Sequence, residues 1–357
     1  MDASIQLLAV STQLPPKRYD AAAVEAAFMS WLRNESDELR AKARRILRSA
    51  GIESRRSFLD AEEIFAERSL TESTRRYREQ AIEIGTSVLS DALGAAGVRP
   101  DEVDILITTS CTGYMIPSVD AYMADRLGLR PDLIRLPVTE MGCAAGASAL
   151  IYASEMLRAR PGSVAATVSL EFPTNTMQPR ERTLENIVGS ALFSDGAACA
   201  VLRAGGHGAQ ARIDDWAMHQ VSDSAEILGY RLTDTGFLMH LDPTLPDVVA
   251  ERFEEATRGL LQRSALTLAD IDHFLVHPGG VKILDRVEDA LRPHGGDLRR
   301  SRAVMRELGN MSSATVLFIL KRLLDESPEA GRALLVSFGP GFGAHALLLT
   351  VGQEARP

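Results

Sequence analysis

Hydrophobic and polar positions along this chain of 357 residues alternate between a strand-like and a helix-like period. Short apolar, β-rich runs bounded by turn residues predict strands over 104–110, 163–170, 273–277 and 332–338. Longer amphipathic stretches predict helices over 73–97, 143–159, 245–264 and 311–326. Strands that alternate with helices are typical of an α/β fold.

The pattern repeats within the chain. GVRPDEVDILITTS (97–110) resembles ALTLADIDHFLVHPGG (265–280), and the stretch 142–170 resembles 309–339. In the second pair, each copy has a glycine, a polar residue, small residues, an apolar helix, a turn and a strand. Self-similarity of this length predicts two pseudo-equivalent halves. We place them at 1–205 and 206–357.

The repeat aligns two residues that could carry chemistry. Asp104 precedes Cys143 by 39 residues, and Asp272 precedes Asn310 by 38, so Cys143 and Asn310 occupy equivalent helix starts. His277 ends the strand that matches 104–110. Two equivalent halves would bring the three side chains to one central cleft. The alternative for Cys143 alone is an inert packing cysteine.

A thiol, an imidazole and a carboxamide form a set suited to acyl transfer. A thiol at the first turn of a helix is expected to ionise more easily, and a neighbouring imidazole can hold the thiolate as an ion pair. His277 and Asn310 could together stabilise an enolate or oxyanion. Such a set suits two reaction steps. In one, the cysteine accepts an acyl group from a thioester, and in the other, a malonyl thioester loses carbon dioxide.

Composition narrows the class of protein. A net charge of -9 argues against nucleic acid as the main partner. Three scattered cysteines favour neither a disulfide framework nor a metal site. The N-terminus lacks a signal peptide, and no apolar run is long enough to span a membrane. These features predict a cytoplasmic protein.

Five blocks of sequence resemble a known family: GCAAGASAL, ALFSDGAACAVL, VHPGGVKILDRVE, GNMSSATVLFIL and SFGPGFG. In this order they are similar to the signature blocks of the chalcone synthase-like type III polyketide synthases of the thiolase superfamily. The stretches TGYMIPS and EMGCAAG look more bacterial than plant-like. The resemblance implies a five-layered αβαβα fold, a homodimer, a catalytic triad of Cys143, His277 and Asn310, acyl-CoA and malonyl-CoA as substrates, and no metal or bound cofactor.

The same resemblance assigns residues around the cavity. Phe193 matches a gatekeeper aromatic, and Met239 stands where a second gatekeeper is usually Phe. Tyr230, or Gly229 beside it, matches a small cavity-floor residue, so the tyrosine would block one direction of chain growth. The remaining positions are cavity-lining Ser110 and Cys111, Met115 reaching across the dimer, and Ser312 near the catalytic cysteine.

Coenzyme A carries phosphates, so its entrance on an acidic protein needs cations. Lys42, Arg45 and Arg48 recur at helical spacing. Lys42 and Arg45 match basic CoA-binding residues of the family, whereas Ser49 departs from the pattern. The alternative is a solvated basic face.

The sequence leaves three hypotheses about function. We expect an iterative type III polyketide synthase with a fatty acyl-CoA starter and an alkylpyrone- or resorcinol-type product. A ketoacyl synthase III-like enzyme would use the same triad for one condensation. Such enzymes typically have the sequence His-Gln-Ala-Asn around the histidine, where this chain has VHPGG. A non-catalytic CoA-binding scaffold would keep the fold without needing an intact triad.

Overall fold

A computed structural model describes residues 4–206 and 209–352. The outer ends of the two predicted halves, 1–3 and 353–357, and residues 207 and 208 near their predicted boundary lie outside the described residues. The strands are β1 (Ile5–Gln13), β2 (Lys17–Asp20), β3 (Ser54–Ser57), β4 (Ile105–Thr109), β5 (Ile134–Val138), β6 (Val164–Glu171), β7 (Gly196–Ala204), β8 (Ala211–Gln220), β9 (Leu228–Thr233), β10 (Gly236–Leu241), β11 (His273–Val276), β12 (Gly331–Gly339) and β13 (Gly343–Val351).

The helices are α1 (Ala21–Trp31), α2 (Asp37–Ser49), α3 (Ala61–Ile64), α4 (Leu70–Ala96), α5 (Val119–Leu127), α6 (Ala145–Arg158), α7 (Leu184–Leu192), α8 (Leu245–Arg263), α9 (Val281–Leu291), α10 (Arg299–Leu308) and α11 (Thr315–Asp325). The four predicted strands correspond to β4, β6, β11 and β12, and the four predicted helices to α4, α6, α8 and α11, with differences of a few residues at their ends. The α/β prediction is confirmed.

The main sheet has nine strands in the order β11-β12-β13-β8-β1-β7-β6-β4-β5. On one side, β6 runs parallel to β4 and antiparallel to β7. On the other side, β12 runs parallel to β11 and antiparallel to β13. β1 and β8 pair antiparallel where the two sides meet. The two sides repeat one arrangement, as expected for two pseudo-equivalent halves, and the boundary between residues 205 and 206 stays a prediction.

Successive residues of a strand face opposite sides, and this alternation separates the layers. Ile105 of β4 and Leu275 of β11 pack into one central cluster with α6 and α11. Leu106 faces a second cluster with α4, whereas Phe274 faces a third cluster with α8 and α9. The order is helices, strands, central helices, strands, helices, which is the predicted five-layered thiolase-like arrangement.

The two central helices begin in the same way. A 3₁₀ turn over 142–144 leads into α6, and a 3₁₀ turn over 312–314 leads into α11. Both turns lie at the same end of the central layer, where Gly146 at the start of α6 packs closely against the Ser313 carbonyl of the second turn. Cys143 and Asn310 are therefore held at one end of the buried helix pair. None of the described helices is long and apolar enough to cross a bilayer.

Candidate active site

Cys143, His277 and Asn310 line one cavity. They come from the turn before α6, the end of β11 and the turn before α11, so both halves contribute. The other lining residues are apolar side chains and one glycine: Leu192, Phe193, Leu228, Met239, Leu241, Leu245, Val249, Gly279, Ile283 and Phe338. Because these walls exclude water, polar atoms that face the cavity interact strongly with a substrate.

The His277 imidazole has no hydrogen-bond partner among residues 4–206 and 209–352. Its backbone N–H donates to the Val336 carbonyl at 2.8 Å, which fixes the residue at the end of β11. The side chain is only 2% exposed, and within the described residues neither Nδ1 nor Nε2 has a hydrogen-bond partner. Burial lowers the pKa of His277 to about 3. The residue therefore presents a neutral ring with one donor and one acceptor.

The orientation of the Asn310 amide is set by its own loop. Its Oδ1 accepts from the Ser312 backbone N–H at 2.8 Å and from Thr315 Oγ1 at 3.4 Å. No described residue accepts a hydrogen bond from its Nδ2 group. Asn310 is 2% exposed, so this buried amide donor is available to a substrate oxygen.

The Cys143 thiol lies 3.5 Å from Ser312 Oγ. Burial raises the pKa of the thiol to about 12, and the charge of nearby Glu171 acts in the same direction. No hydrogen bond joins Cys143 to His277 in the described part of the chain. The expectation of an easily ionised thiol in an ion pair is therefore wrong for this state, since desolvation outweighs the helix start. The pair is neutral.

The sequence analysis missed a buried carboxyl group, that of Glu171, which lies near Cys111 and Cys143. Glu171 is fully buried and accepts from the Cys111 backbone N–H at 3.2 Å, from Thr112 Oγ1 at 3.0 Å and from Ser313 Oγ. Burial raises the pKa of Glu171 to about 7. The available signal was an acidic residue directly after the apolar run SVAATVSL.

Three predicted cavity residues cluster beside this carboxyl group. Ser312 Oγ lies 3.2 Å from Cys111 Sγ and 3.5 Å from Cys143 Sγ, so one hydroxyl group stands between the two thiols. Cys111 Sγ is also 3.5 Å from Glu171 Oε2. Ser110 is buried next to them, with its Oγ 3.3 Å from Thr112 Oγ1.

Phe193 and Met239 line two cavities at once: the one that holds Cys143, and a second cavity on their other side. Tyr230 pairs with Met239 across the β9–β10 hairpin and lines the second cavity. Burial raises the pKa of Tyr230 well above its ordinary value. Its phenol group therefore stays protonated.

The predicted CoA-binding residues lie on the exposed side of α2, whose inner side packs through Leu47 against α7. Lys42 forms an ion pair with Glu38 at 2.8 Å, and Arg48 forms one with Glu25 at 3.6 Å. Arg45 is exposed and has no ion pair with any described residue. Exposed pairs contribute only about 0–1 kcal/mol, so a phosphate group can displace them.

Met115 packs partly against a hydrophobic cluster of its own chain. Its neighbours Tyr114 and Ile116 are 56% and 81% exposed. No three His, Cys, Asp or Glu side chains are grouped to hold a metal among residues 4–206 and 209–352. The expected absence of a cofactor stays a prediction.

Comparison with known proteins places these features in a family. Residues 2–206 match the model for the N-terminal domain of chalcone and stilbene synthases, and residues 215–351 match the model for the C-terminal domain. A 1,3,6,8-tetrahydroxynaphthalene synthase of Streptomyces peucetius subsp. caesius is 35% identical over 98% of this chain and 94% of its own length. A phloroglucinol synthase of Pseudomonas fluorescens is 30% identical over 88% of this chain and 89% of its own length.

A solved structure agrees with the sequence matches. The crystal structure of 1,3,6,8-tetrahydroxynaphthalene synthase from Streptomyces coelicolor A3(2), a bacterial type III polyketide synthase, covers 98% of this chain and 99% of its own. The TM-score is 0.91 at 29% identity. The matches decide against a ketoacyl synthase III-like enzyme and a scaffold. The chain belongs to the chalcone and stilbene synthase family and is a type III polyketide synthase, an acyltransferase.

Proposed function

We propose that this synthase is primed by malonyl-CoA, or by a starter of similar size, and extends it with malonyl units to a small aromatic polyketide. The observation that carries the proposal is the position of Tyr230. Tyr230 pairs with Met239 and lines the cavity beyond Phe193 and Met239, so its ring takes volume that a long starter reaching past these two residues from Cys143 would need. A small acyl group fits beside the ring, so side-chain volume selects the starter.

Cys143, His277 and Asn310 are the triad in this proposal. The thiol attacks the starter thioester while its proton passes to His277, and the CoA thiolate leaves with that proton. Concerted transfer suits a pair that is neutral at rest. The thioester oxygen of a following malonyl-CoA accepts from His277 Nε2–H and Asn310 Nδ2–H. Carbon dioxide leaves, and the electron pair passes into an enolate that these donors stabilise.

The enolate carbon then attacks the acyl group on Cys143, and the cysteine sulfur departs as the leaving group. The extended chain must return to Cys143 for another cycle. His277 and Asn310 can act in the same way in every condensation, because neutral hydrogen-bond donors stabilise an oxyanion and remain neutral when it has reacted. Ring closure of the finished chain releases the product.

The names of the relatives support a malonyl-built product. The tetrahydroxynaphthalene and phloroglucinol skeletons each contain an even number of carbons, with oxygen on alternate ring positions. Two-carbon malonyl units alone can build both. We carry this product class, small polyhydroxylated aromatics, to the present chain as part of the proposal.

The test is mass spectrometry of the products formed from malonyl-CoA alone and from malonyl-CoA with acyl-CoA starters of increasing length. We expect a product from malonyl-CoA alone, and none from Cys143→Ala. Tyr230→Gly should accept longer starters, whereas the matched control Tyr230→Phe keeps the bulk and should not. Product only in the presence of a long starter would overturn the proposal.

A fatty acyl-CoA starter is the second candidate, with an alkylpyrone- or resorcinol-type product. The cavity beyond Phe193 and Met239 favours it, because Val24, Phe28 and Phe65 line that cavity with apolar surface. The flexible Met239 thioether could move aside for an alkyl chain. In the same assay this candidate predicts higher turnover with long starters than with malonyl-CoA alone.

We further propose that the chain acts as a cytoplasmic homodimer, with CoA phosphates at Lys42, Arg45 and Arg48. Exposed apolar Tyr114 and Ile116 support a surface that a second copy covers. Met115 lies between them in the same loop. Analytical ultracentrifugation of the wild type and of Ile116→Asp tests the dimer, which a monomeric wild type would exclude.

A further inference from the structure

The cavity beyond Phe193 and Met239 is apolar but carries unbalanced positive charge. Arg55 and Arg56 of β3 both line it, whereas no Asp or Glu in the described part of the chain does. Neither arginine forms an ion pair with any residue of the described ranges. Because an unpaired charge is costly where water is scarce, a guanidinium group that is buried at this wall needs an anion.

Arg55 is the more buried of the two. It is 6% exposed, and burial lowers its pKa to about 10, so it remains charged at neutral pH. Its Nη2 donates to the Ala191 carbonyl near the end of α7. Its Nε–H is buried and has no partner among the residues that the structure describes, and the same holds for the Nε–H of Arg56. The end of α7 supplies only a fraction of a negative charge, so the guanidinium is incompletely balanced.

The carboxyl group close to this wall does not balance the arginines. Asp195 accepts from the Thr174 backbone N–H at 3.0 Å, from Thr174 Oγ1 at 2.6 Å and from the Phe58 backbone N–H at 3.4 Å. Burial raises the pKa of Asp195 to about 7, so this carboxyl group is partly neutral near physiological pH. The anion that Arg55 needs must come from a ligand.

We propose that Arg55, assisted by Arg56, binds the terminal carboxylate of an acyl chain that passes from Cys143 between Phe193 and Met239. The substrate class is an acyl thioester with a second carboxyl group at its far end, such as a malonyl-primed chain that keeps its terminal carboxylate or the mono-CoA thioester of a longer dicarboxylic acid. Planar guanidinium groups match a carboxylate through paired N–H donors. This inference rests on the proposed function, since it concerns the chain held on Cys143.

The test compares two starters of equal length, glutaryl-CoA with a terminal carboxylate and pentanoyl-CoA with a terminal methyl group. Intact-protein mass spectrometry follows the rate of acylation of Cys143 without malonyl-CoA, with Cys143→Ala as the blank. In the wild type, glutaryl loading should at least equal pentanoyl loading. Arg55→Met should lower glutaryl loading by about tenfold or more relative to pentanoyl loading. Arg55→Lys should keep part of the preference, and Arg56→Met should have a smaller effect.

Two outcomes would overturn the inference. If Arg55→Met slows both starters equally, the arginine only supports α7 or contacts the phosphates that both CoA esters share. If the wild type loads pentanoyl at least tenfold faster than glutaryl, no carboxylate site exists, whether or not the variants fold. The assay contains no extender, so it gives its answer even if the malonyl-built product of the proposed function is never found.

Discussion

Phe193 and Asn310 form an isolated parallel β-bridge. The Asn310 backbone N–H donates to the Leu192 carbonyl at 2.9 Å, and the Ser194 N–H donates to the Asn310 carbonyl at 2.9 Å. Phe193 stands between the two cavities, and Asn310 carries an amide donor of the first. The residue between the two cavities and the residue whose amide donor faces the first cavity are therefore fixed to each other through the backbone.

Gly309 makes this bridge possible, and Gly309→Ala should disrupt it. The glycine has a φ of +79°, and an added Cβ would lie 3.2 Å from the Leu192 carbonyl oxygen. We expect kcat to fall about tenfold or more, because a small displacement of Asn310 misplaces its amide donor. Starter selectivity should change as well, since Phe193 moves with it. Steady-state kinetics with short and long starters measure both effects.

Gly295→Ala is the matched control. Gly295 has a φ of +75°, but nothing lies within 4 Å of its added Cβ. Both variants carry the strain of a left-handed residue, about 1–2 kcal/mol. If the two variants lose the same small amount of activity, the bridge does not couple Phe193 to the amide donor of Asn310.

The neutral Cys143–His277 pair predicts how the thiol reacts with pH. With a thiol pKa near 12 and an imidazole pKa near 3, neither group titrates between pH 5 and pH 9. Alkylation of Cys143 by iodoacetamide should be slow at pH 7 and rise steadily toward alkaline pH, as the thiolate fraction grows. Mass spectrometry of the Cys143 peptide measures the rate.

Cys111→Ser is the control, because Cys111 is the other thiol that lies near Ser312 Oγ. If the pH profile belongs to Cys143, this variant should show the same profile as the wild type. Cys199 is fully buried and should stay unmodified. Fast alkylation at pH 6 that levels off by pH 7 would mean that Cys143 is held as a thiolate, and the neutral-pair description would fail.

Asp195 predicts that the protein is less stable in mild alkali than in mild acid. Its pKa is raised to about 7 in the folded chain because the carboxyl group is desolvated. The stability that the protonated form contributes is present below pH 4 and is lost as pH rises through 7. The corresponding decrease in the free energy of unfolding is on the order of 4 kcal/mol over the whole range, and about 3 kcal/mol of it falls between pH 5 and pH 8.

Urea denaturation of the wild type and Asp195→Asn at pH 5 and pH 8 checks this prediction. The asparagine mimics the protonated acid, so the variant should lose much less stability between the two pH values. Glu171, whose pKa is also raised to about 7, should account for the slope that remains. Equal slopes for wild type and variant would show that Asp195 does not titrate in this range.

The positions of Cys143 and Asn310 could be predicted because they follow from local order along the chain. Each lies at a helix start after a glycine, and matched spacings in the two halves place them together. The register of Tyr230 could not be fixed, since a one-residue shift separates it from Gly229. The β9–β10 hairpin decides, because it pairs Tyr230 with Met239.

The charge state of an ionisable side chain, and whether it lacks an ion-pair partner, depend on burial in the fold. The sequence alone does not show this burial. The helix start at Cys143 favours a thiolate, but the surrounding apolar walls remove water and reverse the expectation. Arg55 looks like any surface arginine until β3 places it in a cavity without acids. Glu171 has no motif around it, and its role as the hydrogen-bond centre of the two-cysteine region emerges only from the fold.

The contact between the two central helices predicts a final pair of variants. An added Cβ at Gly146 of α6 would overlap the carbonyl oxygen of Ser313, in the turn that follows Asn310. Gly146→Ala must push the two halves apart beside the cavity that Cys143 and Asn310 both line. We expect a loss of about 1–3 kcal/mol in the free energy of unfolding from overpacking, and a larger proportional loss of activity.

Gly94→Ala in α4 is the control, because nothing lies within 4 Å of its added Cβ. Alanine is the better helix former, so this variant should be neutral or more stable by about 0.5–1 kcal/mol, with unchanged activity. Thermal denaturation and product formation should be measured on the same preparations. If Gly146→Ala keeps wild-type activity, the close approach of α6 to α11 does not set the distance between the thiol and the amide donor.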